Sequence, residues 1–420
     1  MSEIMIRGSQ PSGWEKRMLG QVFRERREKG SDSEFPALSV TMQGILPQLE
    51  TAAKTDRGDD RKVVRVGDYV INSRSDRKGS GGISALEGSV SLISIVMEPV
   101  EIVPKFAHHL LRSVAFQEEF YRFGRGIVAD LWSTRFDDLK RIQVFLPSKE
   151  RQAAIAFYLD RETARIDALI EKKIRFIELL KEKRQALITQ AVTKGLDPNV
   201  PMRDSGVEWI GEVPEGWAVK NISYVFRAVG DVDHYMPASV DTGVPYLMTG
   251  DIKDFASEVS FDECKQVSQK DYRKLSRKIK TSKGDVVMAR YATIGTSMYV
   301  DINLNFLVSY SCVTIKPEPS ELSGQYLFYY LKSDAFFQGI KNQINSNTQD
   351  NVGIGDLKKV KIVLPNIREQ GEIVEWLEDK IAKIDRLSEK SRCSIELLKE
   401  RRSALITAAV TGQIDLREAA

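Results

Sequence analysis

Two stretches of this chain carry the same alternation of apolar and charged positions. Between 146 and 197, apolar residues recur at Ile155, Leu159, Ile166, Leu169, Ile170, Ile177, Leu180, Leu187 and Ala191, in steps of three and four. Between 364 and 420 they recur at Ile373, Leu377, Ile384, Leu387, Ile395, Leu398, Leu405 and Ala409. That period, with charge on the remaining faces, predicts two long amphipathic helices, each with one packed seam. The step from Ile166 to Ile170 breaks a strict heptad, so any supercoil should relax there. Start signals agree: Pro147-Ser148 and Pro365-Asn366 follow short apolar runs, and Asn366 with Glu369 has capping-box spacing. Stop signals follow at Gly195 with Pro198, and at Gly412.

The two stretches are copies. IELLKEKRQALITQAVT at 177–193 returns as IELLKERRSALITAAVT at 395–411, and the 52 aligned positions beginning at Leu146 and Leu364 agree at 26. A helix of about 46 residues is a rod of roughly 70 Å and needs a partner along its length. The other copy is the simplest one. Two equivalent units related by a two-fold axis would set the rods antiparallel, as a coiled coil with internal pseudo-two-fold symmetry. Arg184 and Arg402 fall at the same seam-like position of the two copies, where spacing alone would put a leucine. They either snorkel to solvent along their stems or set the register of the pair.

The sequence before each helix repeats more faintly. SGWEKRMLGQVF from Ser12 resembles EGWAVKNISYVF from Glu215, VGDYVINSR at 66 resembles KGDVVMARY at 283, and DDLKRIQVFLP at 137 resembles GDLKKVKIVLP at 355. Short β-rich runs (VVRVGDYVI, SLISIVM, DVVMA, YSCVTI) are joined to helix-like stretches (FAHHLLRSVAFQEEFY, GQYLFYYLKSDAFFQGI). The expected fold class is therefore mixed α/β. One globular domain should span 1–145, a helical region 146–197, a second globular domain 198–363 and a second helical region 364–420.

Composition narrows the function classes. Nowhere do 18 apolar residues run together and the first residues lack an apolar signal core, so the expected place is the cytoplasm. Cys264, Cys312 and Cys393 are far apart, without CxxC spacing, and are expected to be packing residues rather than disulfide or zinc partners. Only His108, His109 and His234 are available for a histidine-based centre, and no metal site is expected. Net charge is only +3, so binding to a polyanion would have to rest on clusters. Eight cations between Lys265 and Lys283 face a single acid, Asp271. The first domain has Arg24 to Lys29 and the glycine-rich run Asn72 to Gly82.

These clusters nominate DNA contacts, with arginine suited to guanine and amides to adenine. The candidates are Arg74, Arg77 and Lys78 in the first domain. In the second they are Lys274, Arg277, Lys278, Lys280, Arg290 and Tyr291, together with Asn345, Asn347 and Gln349 of the amide-rich run at 342–351. Catalytic machinery is not legible. The sequence has no Asn/Asp-Pro-Pro-aromatic tetrad for a flipped base and no GxxxxGK[ST] phosphate loop. Two other readings of the chain are a coiled-coil scaffold without DNA affinity and a nuclease whose metal would lie among Asp231, Asp233 and Asp251.

REQGEIVEWL from Arg368, with IELLKERRSALITAAVTG after it, resembles the conserved region of specificity subunits of Type I restriction-modification enzymes. RDSGVEWIGEVPEGW, from Arg203 to Trp217, resembles the segment that introduces a target recognition domain in that family. The resemblance covers nearly the whole chain. Two departures are the short introducer MSEIMIRGSQPSGWEKRML and KERQ at 149–152, which lacks the usual acid before the glutamine. The resemblance implies two target recognition domains, each reading one half of a split sequence in double-stranded DNA. It implies conserved helices that space them and hold two methyltransferase subunits, with restriction subunits in the full complex. S-adenosylmethionine, ATP and Mg²⁺ would then belong to those partners, and this chain would carry no cofactor and no catalytic residue.

Overall fold

The computed structural model describes residues 10–48, 60–126, 132–291, 293–343 and 351–414. The fold is mixed α/β and divides into two compact units, one of 1–174 with 392–420, the other of 175–391. Each unit thus holds one globular domain, the N-terminal part of one long helix and the C-terminal part of the other.

The two domains repeat one skeleton. In the first, the strand Glu15–Met18 pairs antiparallel with Gln143–Leu146, bringing the domain's two ends together. In the second, Ala218–Asn221 pairs with Lys361–Leu364 in the same sense. Each domain then has a four-stranded sheet. Its order is Phe23–Glu25, Ser94–Pro99, Tyr69–Asn72, Gly81–Ile83 in one, and Phe226–Gly230, Cys312–Pro317, Val286–Ala289, Ser297–Tyr299 in the other. VVRVGDYVI is not one strand. It splits into Arg61–Val64 and Tyr69–Asn72 at a turn where Gly67 takes φ +92°, and Gly284 does the same at φ +93°. The aspartate after each glycine is buried, accepts the amide three residues back, and holds a cation: Arg26 on Asp68, Lys316 on Asp285.

The helix-like stretches also break in two, into Pro104–Arg112 with Val114–Arg122, and Gly324–Leu331 with Asp334–Lys341. Ser113 and Ser333 cause the breaks, each in extended geometry and accepting an amide of the following turn, from Phe116 and Phe336. The domains differ in what is inserted. The first carries the hairpin Leu38–Thr41/Gly44–Pro47, and the second a mixed sheet of Lys265–Val267, Val244–Leu247 and Leu307–Val308 with the short helix Gln269–Leu275.

The long helices are Lys149–Lys194 and Ile367–Val410. Asn366 accepts from the amides of Arg368 and Glu369 while Glu369 accepts from that of Asn366, completing the capping box. Gly195 and Gly412 close the helices at φ +76° and +72°. Within each unit the helices run antiparallel. In one, Ile155 and Leu159 share a core with Ile406, Ala409 and Val410; in the other, Ile188, Ala191 and Val192 share one with Ile373, Val374, Leu377 and Ile381.

Of the expected seam, Ile155, Leu159, Ile166, Leu180, Ile373, Leu377, Ile384 and Ile395 are buried. Ile177, Leu187, Leu398 and Leu405 are only half-buried, and Leu169 and Leu387 are exposed. The buried position moves one residue on, to Ile188 and Ile406. A helix with 3.6 residues per turn drifts against a heptad stripe, and here the C-terminal quarter of each helix packs on a domain core as well as on its neighbour. Arg184 and Arg402 both reach aspartates at corresponding positions of the facing helix. Arg402 Nε lies 2.9 Å from Asp167, and Arg184 Nε lies 4.0 Å from Asp385 while its Nη2 lies 3.1 Å from Asp254.

The repeated glutamines of the motif have a clear role. Gln370 is fully buried, accepts from the Ser323 amide (2.8 Å) and donates to the carbonyls of Glu321 (2.8 Å) and Pro365 (3.0 Å). Gln152 accepts from the Val103 amide (2.9 Å) and donates to the Pro147 carbonyl (2.9 Å). Each glutamine ties a long-helix start to the first turn of a domain helix. Replacing Gln370 by Leu strands a buried amide and two carbonyls, and should lower the unfolding free energy by ~2–4 kcal/mol. Denaturant melts would show it as a lower midpoint, and an unchanged midpoint would deny the tie.

Candidate nucleic-acid interface

In the first domain a cleft of about 640 Å³ opens between the four-stranded sheet and the segment Ser133–Asp137. Arg27, Lys29, Lys62, Arg74 and Arg135 line it, with Glu25 and Asp137 as the acids and Leu92 and Ile93 as an apolar ledge. Both ledge side chains are solvent-exposed, at 43% and 40%. Several of the cations are already engaged: Arg27 with Glu25 (2.7 Å), Lys29 with Asp60 (2.7 Å), and Lys62 with the Ser94 carbonyl (2.7 Å). Burial pushes the Lys62 ammonium below the ordinary lysine range. Arg74 and Arg135 are exposed, and among the described residues neither has an ion-pair partner.

Arg74 is held by its backbone. It bridges antiparallel to Ser133, and the Thr134 amide donates to the Ser73 carbonyl at 3.0 Å. The second domain repeats this junction: Tyr291 bridges to Asn351, and the Val352 amide donates to the Arg290 carbonyl at 3.0 Å. Ser73 and Arg290 point inward and are buried, which leaves Arg74 outward and Tyr291 partly exposed. Of the other first-domain candidates, Arg77 lies 3.5 Å from Asp76 and Lys78 pairs with Glu118, both at the surface.

In the second domain Lys274, Arg277, Lys278 and Lys280 are all exposed, on and just after the helix Gln269–Leu275. Ser268 caps that helix by accepting the Asp271 amide. Lys274 Nζ sits 4.6 Å above the ring of Tyr235, a residue that is itself exposed. Lys278 reaches Asp231 at 2.7 Å, so its charge is partly spent inside the protein.

Arg290 departs from its expected place among the readers. It is 5% exposed, and its guanidinium donates to Asp231 (2.7 Å) and to the carbonyls of Tyr310 (3.1 Å) and Val352 (3.3 Å). A base edge has no access to it. Burial tends to raise the Asp231 carboxyl, but Lys278 and Arg290 outweigh that and hold it below the usual range. Those ion pairs account for Asp231, and among the described residues no group of His, Cys, Asp and Glu is placed to hold a metal. Asn345, Asn347 and Gln349 lie outside the described residues. Cys264 and Cys312 are buried as expected of packing residues, whereas Cys393 is exposed on the second long helix, off the buried stripe. No described helix is long and apolar enough to cross a membrane.

The residues that sequence reasoning missed are Arg135, Lys62 and the Leu92–Ile93 ledge. Alignment of the two half-chains places Arg74 opposite Tyr291, but only the fold brings Arg135 to the same cleft.

Comparison with known proteins agrees with this architecture. The family model for the Type I restriction modification DNA specificity domain matches residues 214–397. The specificity subunit of the Type I restriction enzyme MjaVIII from Methanocaldococcus jannaschii is 24% identical over 97% of this chain and 94% of its own length. Among solved structures, a chain from work on complex assembly and conformational transition of the type I R-M system matches with a TM-score of 0.72 at 18% identity. It covers 97% of this chain and 100% of that one. The HsdS subunit from Thermoanaerobacter tengcongensis matches with a TM-score of 0.56 at 18% identity, over 97% and 99%. With a duplicated helix bearing the motif and two domains of one skeleton, residues 214–397 match the Type I restriction modification DNA specificity domain, and the chain is similar along nearly its whole length to specificity subunits of Type I restriction enzymes.

Proposed function

We propose that each domain reads one half of a bipartite target in double-stranded DNA, domain 1–145 one half and domain 198–363 the other. The helical regions 146–197 and 364–420 set the distance between the halves. The observation that carries this is the junction at Arg74 and Tyr291: one scaffold in both domains, presenting unlike side chains at corresponding places. Unlike readers on a common frame imply unlike half-sites. Half-sites read from one face of a duplex lie about one helical turn, roughly 34 Å, apart, a separation that rigid helices suit.

The helices also dock two methyltransferase subunits, to which restriction subunits add. Leu169 and Leu387, and likewise Leu179 and Leu397, are corresponding positions of the two copies, and all four are exposed. Keeping apolar side chains in water twice over fits a partner that covers them. S-adenosylmethionine, ATP and Mg²⁺ belong to those subunits, and the complex works in the cytoplasm.

The test replaces 1–145 by the corresponding domain of a relative and reads the methylated motif in cells that also express matching methyltransferase subunits. One half of the motif should change and the other should stay. A swap that altered both halves would sink the modular reading.

A further inference from the structure

We infer that Arg74 and Arg135 form the base-reading pair of the first domain, with a guanine in its half-site as the ligand of Arg74. The inference rests on the reading of the domain as a half-site reader. Three observations carry it. First, both arginines line one cleft, and among the described residues both lack the carboxylate partners that engage Arg17, Arg26, Arg27, Arg65, Arg122 and Arg125 in the same domain. Among the described residues Arg24 and Arg141 are exposed without an ion pair as well, but neither lines this cleft, so Arg74 and Arg135 are the cleft arginines that keep their five donors for something outside the chain.

Second, the Arg74 backbone is not a free loop. The bridge to Ser133 and the Thr134-to-Ser73 hydrogen bond fix its direction, and Arg135 lies two residues beyond Ser133 along the same paired segment. A guanidinium on a pinned backbone loses less freedom on forming a two-bond fork with guanine O6 and N7 than one on a mobile loop would. Third, the exposed Leu92 and Ile93 stand in the same cleft. An apolar ledge next to free guanidinium groups is uncalled for by phosphate binding but suits a thymine methyl or the apolar face of a neighbouring base.

The second domain supplies an internal control. Its junction residue is Tyr291, which has a single hydroxyl and no fork, so the two domains should not share a guanine at the matching position.

The full chain with its methyltransferase subunits would be used, comparing Arg74→Ala, Arg74→Lys and the unaltered protein by methylated-motif sequencing and by DNA binding to probes that vary one base pair at a time. The unaltered chain should give a two-part motif with a G·C pair in the first-domain half. Both variants should lose preference at that pair by roughly tenfold or more while the second half keeps its sequence. Lysine keeps the charge but not the fork, so a lysine variant with unaltered preference would assign Arg74 to a phosphate and overturn the inference. If the two-part motif persists and neither variant changes it, Arg74 is not a reader although the half-site reading stands. If the unaltered chain gives no two-part motif, both fall together. Arg74 is exposed and among the described residues its side chain makes no hydrogen bond or ion pair, so the variants should melt as the parent does, which a thermal scan would check.

Discussion

Converting Lys274, Arg277, Lys278 and Lys280 to glutamine should flatten the salt dependence of target binding by close to three phosphate contacts. Each neutralised phosphate on duplex DNA contributes about 0.9 to the slope of log K against log salt. Lys274, Arg277 and Lys280 are exposed, whereas Lys278 is partly neutralised by Asp231 at 2.7 Å and counts for less. Three contacts give a slope change near 2.7, so raising salt from 50 to 200 mM should cost the variant roughly 40-fold less affinity than the parent. Titrations across that range would measure it. The first-domain half of the target should remain unchanged, because these side chains belong to the other domain. An identical slope would place the cluster away from the phosphate backbone, and the eight cations between 265 and 283 would then be a solvated face.

Arg290→Ala should destabilise the second domain by ~3 kcal/mol or more, since removing one member of a buried ion pair leaves the other charge without its compensation. Asp231 would keep Lys278 but lose the buried guanidinium, and the carbonyls of Tyr310 and Val352 would lose their donor. Lysine should rescue little, because one ammonium cannot span Asp231 and two carbonyls as the fork does. Hydrogen exchange would localise the effect: amides in Val286–Ala289 and Cys312–Pro317 should exchange faster while Ser94–Pro99 and Tyr69–Asn72 of the first domain hold their rates. The pH response has a definite sign. Asp231 is held below the ordinary carboxyl range, so its contribution is present at neutral pH and is lost as pH falls through its folded value. Without Arg290 that loss should begin at higher pH. Uniform exchange across both domains, or no change at all, would deny Arg290 its bracing role.

Arg290 also marks how far a sequence can be read. KGDVVMARY and VGDYVINSR align without ambiguity, and strand alternation from the glycine turn would put position 290 inside and 291 outside. A basic residue at the end of a strand nevertheless reads as a surface reader when its partner lies 59 residues away at Asp231. Leu187 and Leu405 show the same limit on a smaller scale. Their spacing is right for a seam, yet Ile188 and Ile406 take the buried positions, because the domain cores against which the helix ends pack are invisible to a periodicity count.

What the sequence by itself determined is what local interactions and duplication decide. The two long helices follow from a period of three and four, from Asn366 with Glu369 at one end and from Gly195 and Gly412 at the others, all within a turn or two of chain. The paired architecture follows from the repeat at 177–193 and 395–411, and the family resemblance is carried by REQGEIVEWL from Arg368 and RDSGVEWIGEVPEGW from Arg203. Tertiary structure alone decided which cations are free. Arg26, Arg65 and Lys78 look in sequence like Arg74 and Arg135, but folding sets carboxylates beside the first three and an open cleft beside the last two. Charge pairing acts over a few ångströms in space irrespective of distance along the chain, so the composition of a cluster cannot tell a solvated or satisfied side chain from one left available to DNA.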